Sequence, residues 1–250
     1  EASRDLSVVT PYVRCLGNLL SGPDAWATAI LSRHEVLEFF HRMMTMAAAQ
    51  LSSQMTAAMT TTTNVLVHRT LTKEICWVLS NIAGGTPEHC RLVVDRGFVL
   101  PLCELLKFSD FDVKREVAYV IFNVVFKDPS NRVPQIVANR GVVSNMTTLI
   151  DADDVSMIAL GIRFAKLVLE NCADGQALVE EANGIELLEN VQYRSLPPEL
   201  CAEAKTLLDT YFGEDYGEDD DDDDVGEKES SEGNFGSDRP GVFGGAPVSF

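Results

Sequence analysis

The sequence has few of the features that mark enzymes, metalloproteins or membrane proteins. It contains no apolar run of about 18 residues, the length that a helix needs to cross a bilayer, and no stretch composed like a secretory signal. Its four histidines form no HExxH motif and its six cysteines form no CxxC pair. A P-loop, a dinucleotide-binding fingerprint and a nucleophile with an adjacent base are also lacking. We therefore expect no enzyme, no metal, no cofactor and no membrane partner.

Basic residues are scarce as well, because 20 Lys and Arg stand against 38 Asp and Glu, for a formal net charge of −18. This balance disfavours a nucleic-acid partner, since phosphates are bound mainly through cations. The six cysteines are Cys15, Cys76, Cys90, Cys103, Cys172 and Cys201. Most of them lie within apolar helical patterns. They predict reduced, buried thiols and a location in the cytoplasm and nucleus.

Much of the negative charge lies in residues 213–250. This segment has 13 acidic residues against Lys228 and Arg239, and the run from Glu218 to Asp224 is wholly acidic. A segment with so many like charges and so few apolar residues cannot bury enough surface to fold. The sequence therefore predicts a folded region at residues 1–212, followed by a disordered acidic and glycine-rich tail at 213–250.

Three similar segments recur within the folded region. Each ends in an apolar helical run followed by Gly97, Gly141 or Gly184, which are 44 and 43 residues apart. Glycine at that point is a signal for the end of a helix, and the interval lies in the period range of armadillo and HEAT arrays. Each unit is predicted to hold a short helix, a second helix and a longer third helix. The third helices are predicted at 8–21, 70–83, 111–127, 154–171 and 198–212.

Units of this kind bury their apolar faces by stacking on one another. The sequence thus predicts an all-α, right-handed superhelical armadillo-repeat solenoid of about five repeats, the first of them partial, with the third helices on the concave side. A Met-, Ala- and Thr-rich segment at about 47–65 interrupts the period. It is interpreted as an insertion loop, solvated or partly helical, and its composition leaves a partner-binding helix open as an alternative.

The third helices also repeat a pair of side chains four residues apart, which places both on one helix face. The pairs are Arg14-x3-Asn18, Trp77-x3-Asn81 and Tyr119-x3-Asn123. An aromatic face attracts a Lys or Arg head group, and an amide offers a peptide backbone both a donor and an acceptor. A ladder of such pairs predicts a groove that holds an extended basic peptide. A lone tryptophan in an apolar run, by contrast, is more commonly packed in a core.

The same residues resemble consecutive repeats of the importin alpha family. The segments that carry the resemblance are Val9–Asn18, Lys73–Ile82, Phe111–Tyr119, Glu180–Glu186, Leu207–Phe212 and the terminal Gly245–Phe250. The resemblance implies repeats six to ten of a ten-repeat array, with a minor site for nuclear localisation signals at Arg14, Asn18, Trp77, Asn81, Tyr119 and Asn123. It also implies that Glu74 and Glu116 pair with Lys or Arg of the cargo.

The chain departs from the family at Tyr119, where tryptophan is usual, and at Phe122, where a small serine is usual. A phenol is a weaker cation partner than an indole, so the resemblance implies a weakened minor site. It further implies an export receptor bound at the last repeat, about 175–212, and the acidic tail. Importin beta is implied only if an Arg-rich segment precedes these residues, and the start at Glu1 indicates a fragment.

Two functions remain open from the sequence. The first is a nuclear import adaptor fragment that binds basic nuclear localisation signals of cargo proteins in its groove. The second is a generic armadillo scaffold for non-basic protein partners. Loss of binding to Lys/Arg peptides, with binding to other proteins retained, would favour the scaffold.

Overall fold

The computed structural model describes residues 6–54, 62–139 and 141–213 of the 250-residue chain. Within these three ranges the backbone forms helices joined by short turns, and no strand occurs there. None of the helices in the described part combines the length and the apolar character needed to cross a membrane. The all-α class predicted from the sequence is confirmed.

The helices follow a recurring pattern of lengths from the second one onward. A short first helix is followed by a second helix and then by a third, which is the longest of its unit. The bounds are α1 (Leu6–Leu20), α2 (Asp24–Leu31), α3 (His34–Gln54), α4 (Thr62–Gly84), α5 (Pro87–Asp95), α6 (Val99–Phe108), α7 (Phe111–Lys127), α8 (Pro129–Val137), α9 (Val142–Thr147), α10 (Val155–Asn171), α11 (Gly175–Glu181), α12 (Gly184–Val191) and α13 (Pro198–Tyr211), with a 3-10 turn (Thr148–Asp151) after α9. The third helices are α1, α4, α7, α10 and α13, as the sequence predicted.

Consecutive third helices pack directly on one another, from α1 through to α13, and the second helices α3, α6, α9 and α12 form a series beside them. A third helix inside the stack is therefore covered on several sides. In α7 this burial extends over Val113, Val117, Val120, Ile121 and Val124. Complete burial of one such side chain contributes roughly 1.5–3 kcal/mol. Stacking between units, rather than any single unit, therefore supplies most of the core.

Residues in the left-handed backbone region separate the first helix from the second in three units. Gly97 (φ 76°) and Gly141 (φ 95°) are the predicted helix-terminating glycines. In the last unit the prediction of Gly184 is wrong by one residue, because Asn183 takes the left-handed conformation with φ 59°. Asparagine tolerates that region better than most residues. Gly184 instead opens α12, where an added Cβ would lie 2.5 Å from Cγ1 of Val179.

The segment at 47–65 is helical wherever the structure describes it, which agrees with the partly helical alternative of the predicted insertion. Helix α3 continues to Gln54 and helix α4 begins at Thr62, so residues 47–54 and 62–65 are helical. Alanine, glutamine and leucine at 47–54 favour helix formation, whereas Thr-Thr-Asn-Val at 62–65 does not. Residues 55–61 lie outside the described residues, and so does the predicted disordered tail from residue 214 onward.

Candidate functional site

The predicted site residues lie on three consecutive third helices, α1, α4 and α7. We call these eight residues the ladder: Arg14 and Asn18 on α1; Glu74, Trp77 and Asn81 on α4; Glu116, Tyr119 and Asn123 on α7. Helix α4 packs between α1 and α7. The structure therefore brings the three predicted pairs together on one stack, which we call the third-helix face.

The first acid of the ladder is already occupied by an arginine of the chain. Both carboxylate oxygens of Glu74 accept hydrogen bonds from Arg14, one from Nη2 and one from Nε, the latter at 3.2 Å. This hydrogen bond is the main cause that raises the pKa of Arg14. The Arg14 side chain is 43% exposed and that of Glu74 only 10%. A ligand that approaches here therefore meets a guanidinium before it meets the carboxylate.

The indole of Trp77 rests on the backbone of α1 and remains partly exposed. An added Cβ at Gly17 would lie 2.2 Å from Cζ3 of Trp77 and 2.8 Å from Cγ2 of Val78. The absence of a side chain at Gly17 thus makes room for the ring. Trp77 packs on the hydrophobic core without being enclosed by it. The Trp77 side chain is therefore neither fully buried in the core nor fully exposed to solvent.

The three amides of the ladder have different surroundings. Asn18 is exposed. Asn81 is partly exposed, yet its buried Nδ2 has no hydrogen-bond partner among the described residues. Asn123 is only 4% exposed, and its Nδ2 donates to the carbonyl oxygen of Ser80 at 3.0 Å. That bond ties α7 to α4, a structural role for Asn123 that the sequence pattern did not indicate.

Glu116 is buried and is paired through one oxygen. Its Oε1 accepts from Nε and Nη2 of Arg115 at 3.4 and 3.2 Å, while its buried Oε2 has no hydrogen-bond partner within the described part of the chain. Burial raises the pKa of Glu116, and the positive charges of Arg115 and Lys73 oppose that shift. Glu116 and Glu74 thus differ, because both oxygens of Glu74 are bonded.

Tyr119 is partly exposed on α7. Burial raises the pKa of Tyr119, and the carboxylates of Asp154 and Glu116 raise it further. The phenol therefore remains neutral at neutral pH. Asp154 itself caps α10 by accepting the backbone N–H of Ser156 at 2.8 Å, as expected of an aspartate at a helix start.

Phe122, the second departure from the family pattern, does not take part in the ladder. Its side chain is 3% exposed, and its ring stacks on that of Phe126 with 5.6 Å between the centroids. The larger side chain is thus accommodated inside the array.

The sequence did not predict a second arginine–glutamate pair, which lies on α10 and α13 where the third-helix face continues along the stack. Nε of Arg163 on α10 lies 3.6 Å from Oε2 of Glu203 on α13. Arg163 is the ninth residue of α10, as Tyr119 is the ninth of α7, and Glu203 is the sixth of α13, as Glu116 is the sixth of α7. Counting from the helix starts would have revealed these equivalent positions, whereas the search for aromatic residues passed over them.

The cysteines follow the prediction in part. Cys76, Cys90 and Cys103 are buried, and burial raises their thiol pKa values, that of Cys103 to about 11. Cys15 is exposed on α1, which differs from the prediction of buried thiols. In the described ranges, no three His, Cys, Asp or Glu side chains converge as metal ligands.

Comparison with known proteins identifies related sequences. No protein-family model matches the chain. Importin subunit alpha-2 of Oryza sativa subsp. japonica is 30% identical over 226 residues, a match that covers 86% of this chain and 40% of that protein. Importin subunit alpha-9 of Arabidopsis thaliana is 32% identical over 225 residues, with the same two coverages of 86% and 40%. The chain thus spans about two fifths of the length of these relatives.

Solved structures with a similar fold include designed armadillo repeat proteins. A designed armadillo repeat protein in complex with the peptide (KR)4 aligns with a TM-score of 0.60 at 19% identity, covering 84% of this chain and 77% of that one. Computationally designed armadillo repeat proteins for modular peptide recognition align with a TM-score of 0.52 at 17% identity, covering 84% and 95%. At such identities the likeness concerns the fold. Sequence and fold together identify the chain as a homologue of the importin alpha proteins, built as an armadillo-repeat solenoid.

Proposed function

We propose that this chain is part of a nuclear import adaptor, and that its third-helix face binds the basic nuclear localisation signals of cargo proteins. The observation that carries the proposal is the surroundings of Trp77. Its partly exposed indole lies one helical turn from Asn81, whose amide nitrogen lacks a partner in the described part of the structure. The next helix supplies Glu116, whose Oε2 is likewise without a partner among the described residues.

These groups suit a lysine or arginine on an extended peptide. A cation over an indole or phenol contributes roughly 0.5–2 kcal/mol, depending on how far both are desolvated. Packed helices lie about 8–10 Å apart, and an extended chain advances about 3.3–3.6 Å per residue. About three peptide residues therefore span the distance from Trp77 to Tyr119. The amide of Asn81 can bind the peptide backbone between them whatever its side chains are.

The similar proteins support the same function without establishing it for this chain. The curated relatives carry the name importin subunit alpha, and one designed structural neighbour holds a (KR)4 peptide. By extension, the last repeat at about 175–212 and the acidic segment 213–229 bind the export receptor. Importin beta binds if an Arg-rich segment precedes these residues. The adaptor would then work in the cytoplasm and the nucleus, without chemistry of its own.

The experiment that tests this proposal compares two labelled peptides of equal length by fluorescence anisotropy. One is rich in Lys and Arg, and the other has glutamine at every basic position. We expect binding of the basic peptide only, with an affinity that falls as ionic strength rises. Equal binding of both peptides, or no binding of the basic peptide, would contradict the proposal.

A scaffold for non-basic partners is the second candidate function. It is favoured by the Arg14–Glu74 pair, which fills one ladder acid from within, and by the internal hydrogen bond of Asn123. If the chain is a scaffold, an excess of the Lys/Arg peptide should not displace its protein partners. Adding that peptide as a competitor therefore separates the two functions.

A further inference from the structure

Two arginine–glutamate pairs bracket the aromatic part of the third-helix face. At one end Arg14 of α1 pairs with Glu74 of α4, and at the other end Arg163 of α10 pairs with an acid of α13. In both pairs the arginine comes from one third helix and the carboxylate from the next one along the chain. The helices between the two arginines, α4 and α7, carry Trp77 and Tyr119 at the ladder position.

The two pairs occupy equivalent places in the repeat. Arg163 stands at the ninth residue of its helix, the position that Tyr119 holds in α7. Glu203 stands at the sixth residue of α13, the position of Glu116 in α7. Glu74 likewise precedes Trp77 by three residues, as Glu116 precedes Tyr119. At both ends, therefore, an arginine replaces the aromatic ring and reaches the acid of the following helix.

In both pairs the arginine is the more exposed partner. The arginine side chains are 43% and 38% exposed, whereas those of Glu74 and Glu203 are 10% and 25% exposed. An approaching ligand thus meets positive charge at both ends of the aromatic segment. In the middle, Glu116 shares one oxygen with Arg115, and its other oxygen has no hydrogen-bond partner in the described ranges.

We propose that these two pairs restrict the third-helix face to a short basic segment, so that its ligand is a peptide whose central basic residues are flanked on both sides by acidic or neutral residues. This inference rests on the proposed function and names the class of peptide that the same site takes. Arg14 and Arg163 each lie one third helix beyond the aromatic segment, which corresponds to about three residues of extended peptide. Lysine at those flanks meets like charge, whereas glutamate meets a partner.

The test uses three labelled peptides of equal length with the same two central lysines. Their flanking residues, three on each side, are all glutamate, all glutamine or all lysine. The wild-type chain is expected to bind the glutamate-flanked peptide about threefold to tenfold more tightly than the lysine-flanked one at low salt. High salt should reduce this ratio, because the charges at the flanks are exposed to solvent.

Variants then assign the preference to the two pairs. In the double variant Arg14→Gln with Arg163→Gln, Glu74 and Glu203 lose their partners, and the ratio is expected to fall to one or below. Arg14→Lys with Arg163→Lys keeps both charges and should retain the preference. The matched control is Arg91→Gln, which removes an exposed arginine whose partner, Glu88, lies on the same helix α5 and not on a third helix.

The outcomes separate this inference from the proposed function. If none of the three peptides binds, the proposed function fails. If all three bind the wild-type chain equally, or if the control variant changes the ratio as much as the double variant, the proposed function stands and the inference is overturned. Helical circular dichroism of each variant shows whether the array is intact. If a glutamine variant unfolds, the three peptides on the wild-type chain still test the inference, since equal binding overturns it.

Discussion

The middle and the ends of the third-helix face use the same helix position for different side chains. In the middle, α4 and α7 present the partly exposed rings of Trp77 and Tyr119. At the ends, α1 and α10 present arginines, and each of these pairs with a glutamate on the next helix. The same helix position therefore carries a ring in two repeats and a paired arginine in two others. On the function proposed above, this pattern of rings and arginines selects the ligand.

The two aromatic positions also differ from each other. On α4, the amide nitrogen of Asn81 has no hydrogen-bond partner in the part of the chain that the structure describes. On α7, the amide of Asn123 donates to the carbonyl oxygen of Ser80. The amide of α7 is thus already bonded within the array. We therefore expect α4 to supply more of the binding free energy than α7.

The largest effect is expected from removing the ring on α4. Trp77→Ala should weaken a Lys/Arg peptide by roughly 1–2 kcal/mol, about fivefold to thirtyfold, because the cation loses its aromatic partner. Fluorescence anisotropy measures the affinity, and thermal unfolding measures the stability. Trp26→Ala is the control, since the other tryptophan of the chain is 56% exposed on α2. Unchanged affinity, or collapse of the fold, would show that Trp77 serves the core instead.

A second variant should move the same ring without removing it. Gly17→Ala places a methyl group where Cζ3 of Trp77 lies, only 2.2 Å from the new Cβ. Crowding of this kind typically costs about 1–3 kcal/mol of stability. We expect a lower Tm and a severalfold weaker peptide affinity. In a Trp77→Ala background the added methyl still meets Cγ2 of Val78 at 2.8 Å but no longer the ring, so it should cost less than in the wild type. Strictly additive losses in the double-mutant cycle would refute the proposed contact with Trp77.

A smaller effect is expected from Tyr119→Trp. The larger ring holds a cation better, which favours binding. We expect a gain in affinity of about twofold by calorimetry. Tyr119→Phe is the control, because it removes the hydroxyl and keeps a ring of similar size. Weaker binding by the tryptophan variant would contradict the proposed cation contact, and weaker binding by Tyr119→Phe would assign a role to the hydroxyl.

The repeat period predicted the positions of the helices well. The reason is that each unit needs a residue that ends its first helix before its second helix begins, and that residue recurs with the period. Gly97 and Gly141 take the left-handed conformation as predicted, whereas Asn183 takes it in the last unit because asparagine also tolerates that region. The predicted insertion at 47–65 is helical at both described ends. High helix propensity accounts for this at 47–54 of α3, but the Thr-Thr-Asn-Val start of α4 has no such propensity.

The sequence predicted on which helices the ladder residues lie, but not which partners their side chains contact. Spacing along the sequence places Arg14 and Asn123 on the right helices, but it cannot show which partner each side chain finds across the stack. Arg14 reaches an acid 60 residues away, and Asn123 reaches a backbone carbonyl 43 residues away. Such long-range partners depend on how neighbouring helices are packed. For the second arginine pair the repeat indicates the positions of Arg163 and Glu203, but their pairing across α10 and α13 again depends on the packing.

The smallest effect is expected from Glu116→Gln, which tests the middle acid against the paired acids at the ends. Burial raises the pKa of Glu116 above its ordinary value of 4.5, so the folded chain binds this proton more tightly than the unfolded chain. Stability then falls as pH rises from about 4.5 through the raised pKa.

At neutral pH the uncharged glutamine of Glu116→Gln should increase Tm by about one or two degrees, which corresponds to a few tenths of a kcal/mol in the free energy of unfolding. Below pH 4.5 the gain should vanish, since glutamate is then protonated in both states. Exposed Glu181→Gln serves as control, and a variant that is less stable at neutral pH would show that the Arg115 ion pair outweighs the cost of burial.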